Sequence, residues 1–206
     1  MKRAKQIKGN RLASICDGRT KTWNEVVDRV ARFAGALHSF GITAGQRVAL
    51  LALNSDRHFE FFYAVPWAGG VFVPINIRLA APEVEFCPND SRSEVLLIDD
   101  HFLPILQALN GKLDSVEEVV YIGDGPCPDG LHGYEALIDA NTPVEDVNRG
   151  YEDLAGLLYK RSATRNCRGH RLARWQHYAR LLAAAGAYNS DHQKRLAALR
   201  RHRIHE

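Results

Sequence analysis

The sequence predicts an α/β fold: a mostly parallel sheet with crossover helices. Two observations carry this. Four short apolar runs, at residues 47–53, 71–75, 95–98 and 119–122, are separated by segments of helical period; strands that alternate with helices imply parallel pairing. The 47–53 run, moreover, is the kind that forms a strand covered on both faces.

The elements follow in order. Residues 12–23 read as a hairpin, because Ala13-Ser14-Ile15-Cys16 and Thr20-Lys21-Thr22-Trp23 flank the turn pair Asp17-Gly18. Asn24 is the expected N-cap of the first long helix, whose inner face carries Val26, Val27, Val30, Phe33, Ala34 and Leu37. Gly41 suits the position just past its end. After the 47–53 strand, Asn54-Ser55-Asp56 offers caps for a helix through Phe59, Phe62, Tyr63 and Val65, with Pro66 near its close. Gly69-Gly70 lets backbone pass close to a neighbour where a Cβ would clash. Pro74 marks a strand end or edge. A short helix starts at Pro82; strand 95–98, helix 104–109, strand 119–122, a Gly/Pro-rich loop 123–130 and a helix near 134–138 complete the pattern.

Composition bounds the class. The chain has 206 residues, 46% apolar and 25% charged, which suits one soluble domain with an appendage. No apolar run approaches the roughly 18 residues of a membrane span. Residues 1–11 are basic but lack the apolar core of a secretory signal, so a solvated lead-in and a cytoplasmic address are expected. Cys16, Cys87, Cys127 and Cys167 are scattered, and the nine histidines form no HExxH pattern. Reduced thiols and no zinc are expected.

Charge divides the chain. Residues 1–159 carry 15 Lys and Arg against 22 Asp and Glu, whereas residues 160–206 carry 12 against 2. The positive sign of the whole chain therefore comes from its last 47 residues. So abrupt an asymmetry marks a boundary.

Several segments together resemble, in order, the opening part of the adenylate-forming (AMP-binding) enzymes, with the flavour of acyl-CoA synthetases. Lys21-Thr22-Trp23-Asn24-Glu25 is similar to the family's entry to its first helix. Gly45-Gln46-Arg47-Val48-Ala49-Leu50 followed by Asn54-Ser55 resembles its "GDRVAL…NS" strand and turn. Trp67-Ala68-Gly69-Gly70-Val71-Phe72-Val73-Pro74-Ile75-Asn76 resembles its "AGGVxVPxN" segment. Pro82-Glu83 through Asn89-Asp90-Ser91, then Val95-Leu96-Leu97-Ile98, resembles the next helix and strand. Asp153-Leu154-Ala155-Gly156-Leu157-Leu158-Tyr159 resembles the strand that leads into the ATP-binding loop. The resemblance covers roughly residues 10–159 and divides the chain into a lead-in (1–11), the first part of an AMP-binding domain (12–159) and a basic tail (160–206).

The resemblance implies an enzyme that uses ATP and magnesium to turn a carboxylic acid into an acyl-adenylate, then passes the acyl group to coenzyme A. It also implies a Gly/Ser/Thr-rich loop of the type TGGTTGxPKG after Tyr159, whose backbone N–H groups cradle phosphates. Here the chain runs Lys160-Arg161-Ser162-Ala163-Thr164-Arg165-Asn166-Cys167-Arg168-Gly169-His170. One glycine stands where several are needed. No catalytic, cofactor-binding or metal-binding residue is assigned: Glu25, Asp28, Asp56 and Glu60 read as solvated helix faces. The expectation is a truncated or frame-shifted acid–CoA ligase, inactive for want of its phosphate loop and C-terminal lid.

The tail has a rival reading, as a helical or disordered basic segment. Leu172, Trp175, Ala179 and Leu182 lie on one side of a helix ringed by Arg171, Arg174 and Arg180, and such a helix contacts nucleic acid or an anionic membrane nonspecifically. A second departure is Cys87-Pro88, where Pro88 is expected to end its helix. Runs 47–53 and 71–75 are the expected aggregation suspects if the sheet is incomplete.

Overall fold

The apolar runs form the middle of one sheet. The computed structural model describes residues 1–150, 152–161 and 167–173. Strands β1 (Leu12–Cys16) and β2 (Arg19–Thr22) make a separate antiparallel hairpin. Its turn places Asp17 at φ 47° and Gly18 at φ 78°, the left-handed pair that a two-residue hairpin turn requires. Strands β3 (Arg47–Leu51), β4 (Val71–Pro74), β5 (Ser93–Ile98), β6 (Glu118–Tyr121), β7 (His132–Gly133), β8 (Leu154–Arg161) and β9 (Cys167–Ala173) form the main sheet in the order β7-β6-β5-β3-β4-β8-β9. Every pairing in it is parallel except β8 with β9.

Side chains alternate cleanly across the sheet. Val48, Leu50, Phe72, Val95, Leu97 and Val120 share one core with helices α2 (Trp23–Ser39), α3 (Asp56–Trp67) and α6 (Tyr134–Ala140). Ala49, Leu51, Val73, Leu96 and Ile98 face α4 (Ala81–Ser91) and α5 (Leu103–Ala108) on the other side. The α/β expectation holds, with helices on both faces, and each fully buried aliphatic or aromatic side chain contributes about 1.5–3 kcal/mol. Gly70 serves this packing: a Cβ there would lie 3.0 Å from Val65 Cγ1 and 3.1 Å from Ile42 Cγ2.

Helix α2 buries the expected face, Val26, Val27, Val30, Phe33, Ala34 and Leu37. Its start differs. Thr22, not Asn24, is the N-cap: its hydroxyl accepts from Glu25 N at 3.3 Å while Glu25 accepts from Thr22 N at 2.6 Å. The reciprocal pair satisfies two backbone donors that Asn24 would have left to chance. At the other end Ile42 N donates to Leu37 O and Gly41 N to His38 O, the bond pattern of a Schellman stop.

Four further expectations change. Residues 1–11 are not a plain lead-in: α1 (Lys2–Lys8) forms there, Met1 packs against the core, and Lys2 Nζ lies 3.4 Å from Asp146 and 5.5 Å from the Trp67 ring. Pro88 does not end α4, which continues to Ser91 and stops at left-handed Arg92. In the tail, Cys167–Ala173 is a strand, so Leu172 does not belong to a helix; Trp175, Ala179 and Leu182 lie outside the described residues. Finally, β3 and β4 are interior strands with partners on both sides, which removes them as exposed aggregation edges. Pro74 ends β4, as its missing donor requires. Among the described residues, no helix is long and apolar enough to cross a membrane.

Candidate functional site

In an open parallel sheet, ligands bind at the carboxyl ends of neighbouring strands whose connections leave for opposite faces. Strands β3 and β5 meet that condition, since α3 lies on one face and α5 on the other. The loops that rim this crevice contain Leu53-Asn54-Ser55 and Asp99-Asp100-His101, with Gly123 and Asp124 beyond β6.

The crevice is closed by its own hydrogen bonds. Asp99 Oδ2 accepts from Leu53 N at 2.6 Å and Asp99 Oδ1 from His101 N at 3.1 Å. Ser55 caps α3 by accepting from His58 N at 3.1 Å. Asp100 accepts from the Tyr121 hydroxyl and, at 2.9 Å, from Asp124 N. The Tyr121 hydrogen bond outweighs burial and holds the Asp100 carboxyl below its ordinary range, while burial and Asp100 together push Tyr121 up to about 12. His58 is pulled down by burial, against hydrogen bonding to the Leu53 carbonyl. The oxygens of Asp99 and Asp100 are thus engaged by Leu53 N, His101 N, Asp124 N and the Tyr121 hydroxyl.

Beside the rim lies a cluster of ion pairs. Asp56 and Glu60 were expected on solvated helix surface, yet they are 4% and 0% exposed. The correction has a plain cause: their partners come from distant elements. Arg19 of β2 reaches Asp56 with Nη2 at 3.2 Å and Nε at 3.3 Å, and Lys21 contacts the same carboxylate. Arg29 of α2 forks onto Glu60 at 2.8 and 3.0 Å and onto Glu135 at 2.7 and 3.0 Å. Arg57 bonds Glu135 Oε1 at 2.8 Å, Asp124 Oδ1 at 2.7 Å and the Ile122 and Gly123 carbonyls at 3.0 and 2.8 Å. The Tyr134 hydroxyl donates to Glu60 at 2.9 Å. Burial alone would raise Asp56 and Glu135, but Lys21 with Arg19, and Arg29 with Arg57, hold each at about 2. Four cations face four carboxylates, so the cluster neutralises itself. It clamps β2, α2, α3 and α6 together.

Glu25 and Asp28 do stand at the surface of α2, where one caps the helix and the other pairs with Arg32 at 2.7 Å. Among the described residues, no group of three or more His, Cys, Asp and Glu could hold a metal, and Cys16, Cys87 and Cys127 form no disulfide. The remaining position is the end of β8. Tyr159 donates to Asp90 at 2.7 Å, and Arg161 pairs with Cys167 across the antiparallel ladder. Residues 162–166, which follow where a phosphate loop is expected, lie outside the described residues.

Comparison with known proteins agrees with this frame. A family model described as AMP-binding enzyme matches residues 1–159. A long-chain-fatty-acid–CoA ligase of Thermus thermophilus is 35% identical over 144 residues, 69% of this chain and 26% of that protein. A medium-chain-fatty-acid–CoA ligase of Ectopseudomonas oleovorans is 35% identical over 156 residues, 71% of this chain and 28% of its own length. Among solved structures, the anthranilate CoA ligase AuaEII in complex with anthranoyl-AMP superposes with a TM-score of 0.79 at 28% identity, over 84% of this chain and 33% of that one. The chain thus spans about a quarter of the length of these two ligases.

Proposed function

Because the chain belongs to the AMP-binding enzyme family, we propose that it descends from an acid–CoA ligase and, as a 206-residue polypeptide, does not activate acids. The reaction inherited with that descent joins a carboxylate oxygen to the α-phosphorus of ATP with loss of pyrophosphate. A coenzyme A thiol then displaces AMP from the acyl carbon. ATP, magnesium and coenzyme A are the co-substrates this reading calls for, and a fatty or aryl acid is the substrate class.

One observation carries the loss of activity. Residues 160–170 hold Gly169 alone, with Lys160, Arg161, Arg165 and Arg168 at the positions of a glycine- and threonine-rich cradle. Such a cradle needs several glycines, because only a residue without a Cβ lets phosphate oxygens come close to successive backbone N–H groups, and the sequence offers one here. A reading-frame change near the Tyr159 codon accounts for both the lost cradle and the charge reversal. A cytoplasmic setting completes the reading, supported by the scattered thiols.

The test is ATP–pyrophosphate exchange by the purified chain against fatty and aryl acids. No exchange above background is expected; acyl-AMP formed in stoichiometric or catalytic amount refutes the proposal. Sequencing the DNA beyond the Tyr159 codon checks the cause, which fails if no frame encodes a Gly/Thr-rich loop.

The charge reversal also favours a second reading, a binding role for residues 160–206 on nucleic acid or an anionic membrane. Twelve Lys and Arg against two acids bind phosphates by counterion release. A salt-sensitive DNA mobility shift that disappears on deleting residues 160–206 supports it.

A further inference from the structure

We propose that the β1–β2 hairpin is an electrostatically latched flap: it closes over the charged end of α3 and opens as a unit about Arg11 and Trp23. The hairpin is a two-stranded sheet of its own, separate from the main sheet. None of its residues is buried, and Leu12 and Ile15 are 50% and 54% exposed. A hairpin with so little apolar cover is marginal by itself. Ala13 packs against the main core, and the rest of the hold is charge. Arg19 bonds Asp56 at 3.2 and 3.3 Å and Asp124 at 2.7 Å; Lys21 contacts Asp56 and lies 3.9 Å from Glu60. Its base is pinned by Trp23 N donating to Arg11 O at 3.1 Å. Between flap and α2 lies a cavity of about 450 Å³ lined by Arg19, Lys21, Glu25, Asp28 and Arg29.

Asp56 is the keeper of the latch, since both hairpin cations converge on it. Opening admits water to Asp56 and Glu60, which are 4% and 0% exposed in the closed form, without disturbing the parallel sheet. Local openings of this kind have their own free energy, well below that of global unfolding.

Hydrogen exchange of the full chain, read by mass spectrometry, tests this. In Asp56→Asn, the amides of residues 14–21 are expected to exchange roughly tenfold faster while those of β3 and β5 keep their wild-type rates. Raising salt from about 0.05 M to about 0.5 M should speed exchange of the same segment in wild type and change it little in the variant. Hairpin exchange that is unaltered, or that accelerates only in step with β3 and β5, overturns the proposal. Should Asp56→Asn fail to fold, the double variant Arg19→Gln/Lys21→Gln removes the latch from the hairpin side and leaves the two outcomes distinguishable.

Discussion

Glu60 lies fully buried in the fork of Arg29, with Nε 2.8 Å from Oε1 and Nη2 3.0 Å from Oε2. Taking two charges out of water is costly, and the cost is recovered only while both remain paired. Removing Arg29 leaves Glu60 with the Tyr134 hydroxyl at 2.9 Å and Lys21 at 3.9 Å. Arg29→Met should therefore destabilise the fold by about 3–5 kcal/mol in urea unfolding. The triple change Arg29→Met/Glu60→Leu/Tyr134→Phe, which also relieves the hydroxyl that donates to Glu60, should cost clearly less than the single. A single variant as stable as wild type would show that water reaches Glu60.

The same cluster makes stability depend on pH in the acid range. Asp56 and Glu135 have folded-state values of about 2, below their ordinary 3.8 and 4.5. A carboxyl depressed on folding stabilises the native state above its unfolded pKa and loses that contribution as pH falls towards its folded pKa. Stability should thus be flat near neutrality and decline between roughly pH 4.5 and pH 2. Asp56→Asn should lower stability at pH 7 and flatten that slope. Chemical denaturation at a series of pH values checks both, and an unchanged slope would remove Asp56 from the account.

Gly156 explains how β8 approaches β4. The two strands pair through Phe72 and Gly156, and a Cβ at 156 would fall 2.2 Å from Phe72 Cε2. The ring of Phe72 is itself nearly sealed in the core at 1% exposure, with Phe62 edge-on at a centroid distance of 5.1 Å. It has nowhere to retreat. Gly156→Ala should cost about 1–3 kcal/mol by overpacking, and Phe72→Leu should recover part of that loss in the double variant. Additive costs would place the strain elsewhere.

How much of this was legible in the sequence depends on the range of the interaction. The inner face of α2 and the doubly covered strands follow from local period, and residues such as Val30, Leu50 and Leu97 are buried as read. Thr22-Trp23-Asn24-Glu25 even carried the reciprocal capping pattern, a signal outweighed by the general preference for asparagine at a cap. The ion-pair cluster is different. Asp56 and Glu60 are spaced i, i+4 like any solvated pair, and their partners arrive from 31 to 74 residues away along the chain. Nothing local distinguishes them. A weak signal did exist: Phe61, Ala64 and Val65 continue the same buried face of α3, which puts Asp56 and Glu60 on the inside once Phe61 is placed there. The crevice between β3 and β5 was equally hidden, because strand order is not written in strand sequence.

Pro88 offers the last test, because it sits inside a helix that does not break. Helix α4 runs three residues beyond it to Ser91. The ring cannot donate to the carbonyl four residues earlier, at Val84, so one helical bond is missing. The turn is held from its carbonyl side: Arg92 N and the Ser91 hydroxyl (3.1 Å) donate to the Pro88 carbonyl, and the single Ser115 hydroxyl proton is shared between the carbonyls of Pro88 (3.1 Å) and Ser93 (3.0 Å). With that turn secured from outside, Pro88→Ala regains the helical donor without loosening the stop at Arg92. It also gives up the packing of a buried ring, so the net gain stays below the ~3 kcal/mol cost of an interior proline. A gain of about 1 kcal/mol corresponds to roughly 2–4 °C in Tm for a chain of this size. A Tm that falls in Pro88→Ala would mean that ring packing against the α4 core outweighs the missing hydrogen bond, and that the proline is a stabilising feature of this helix.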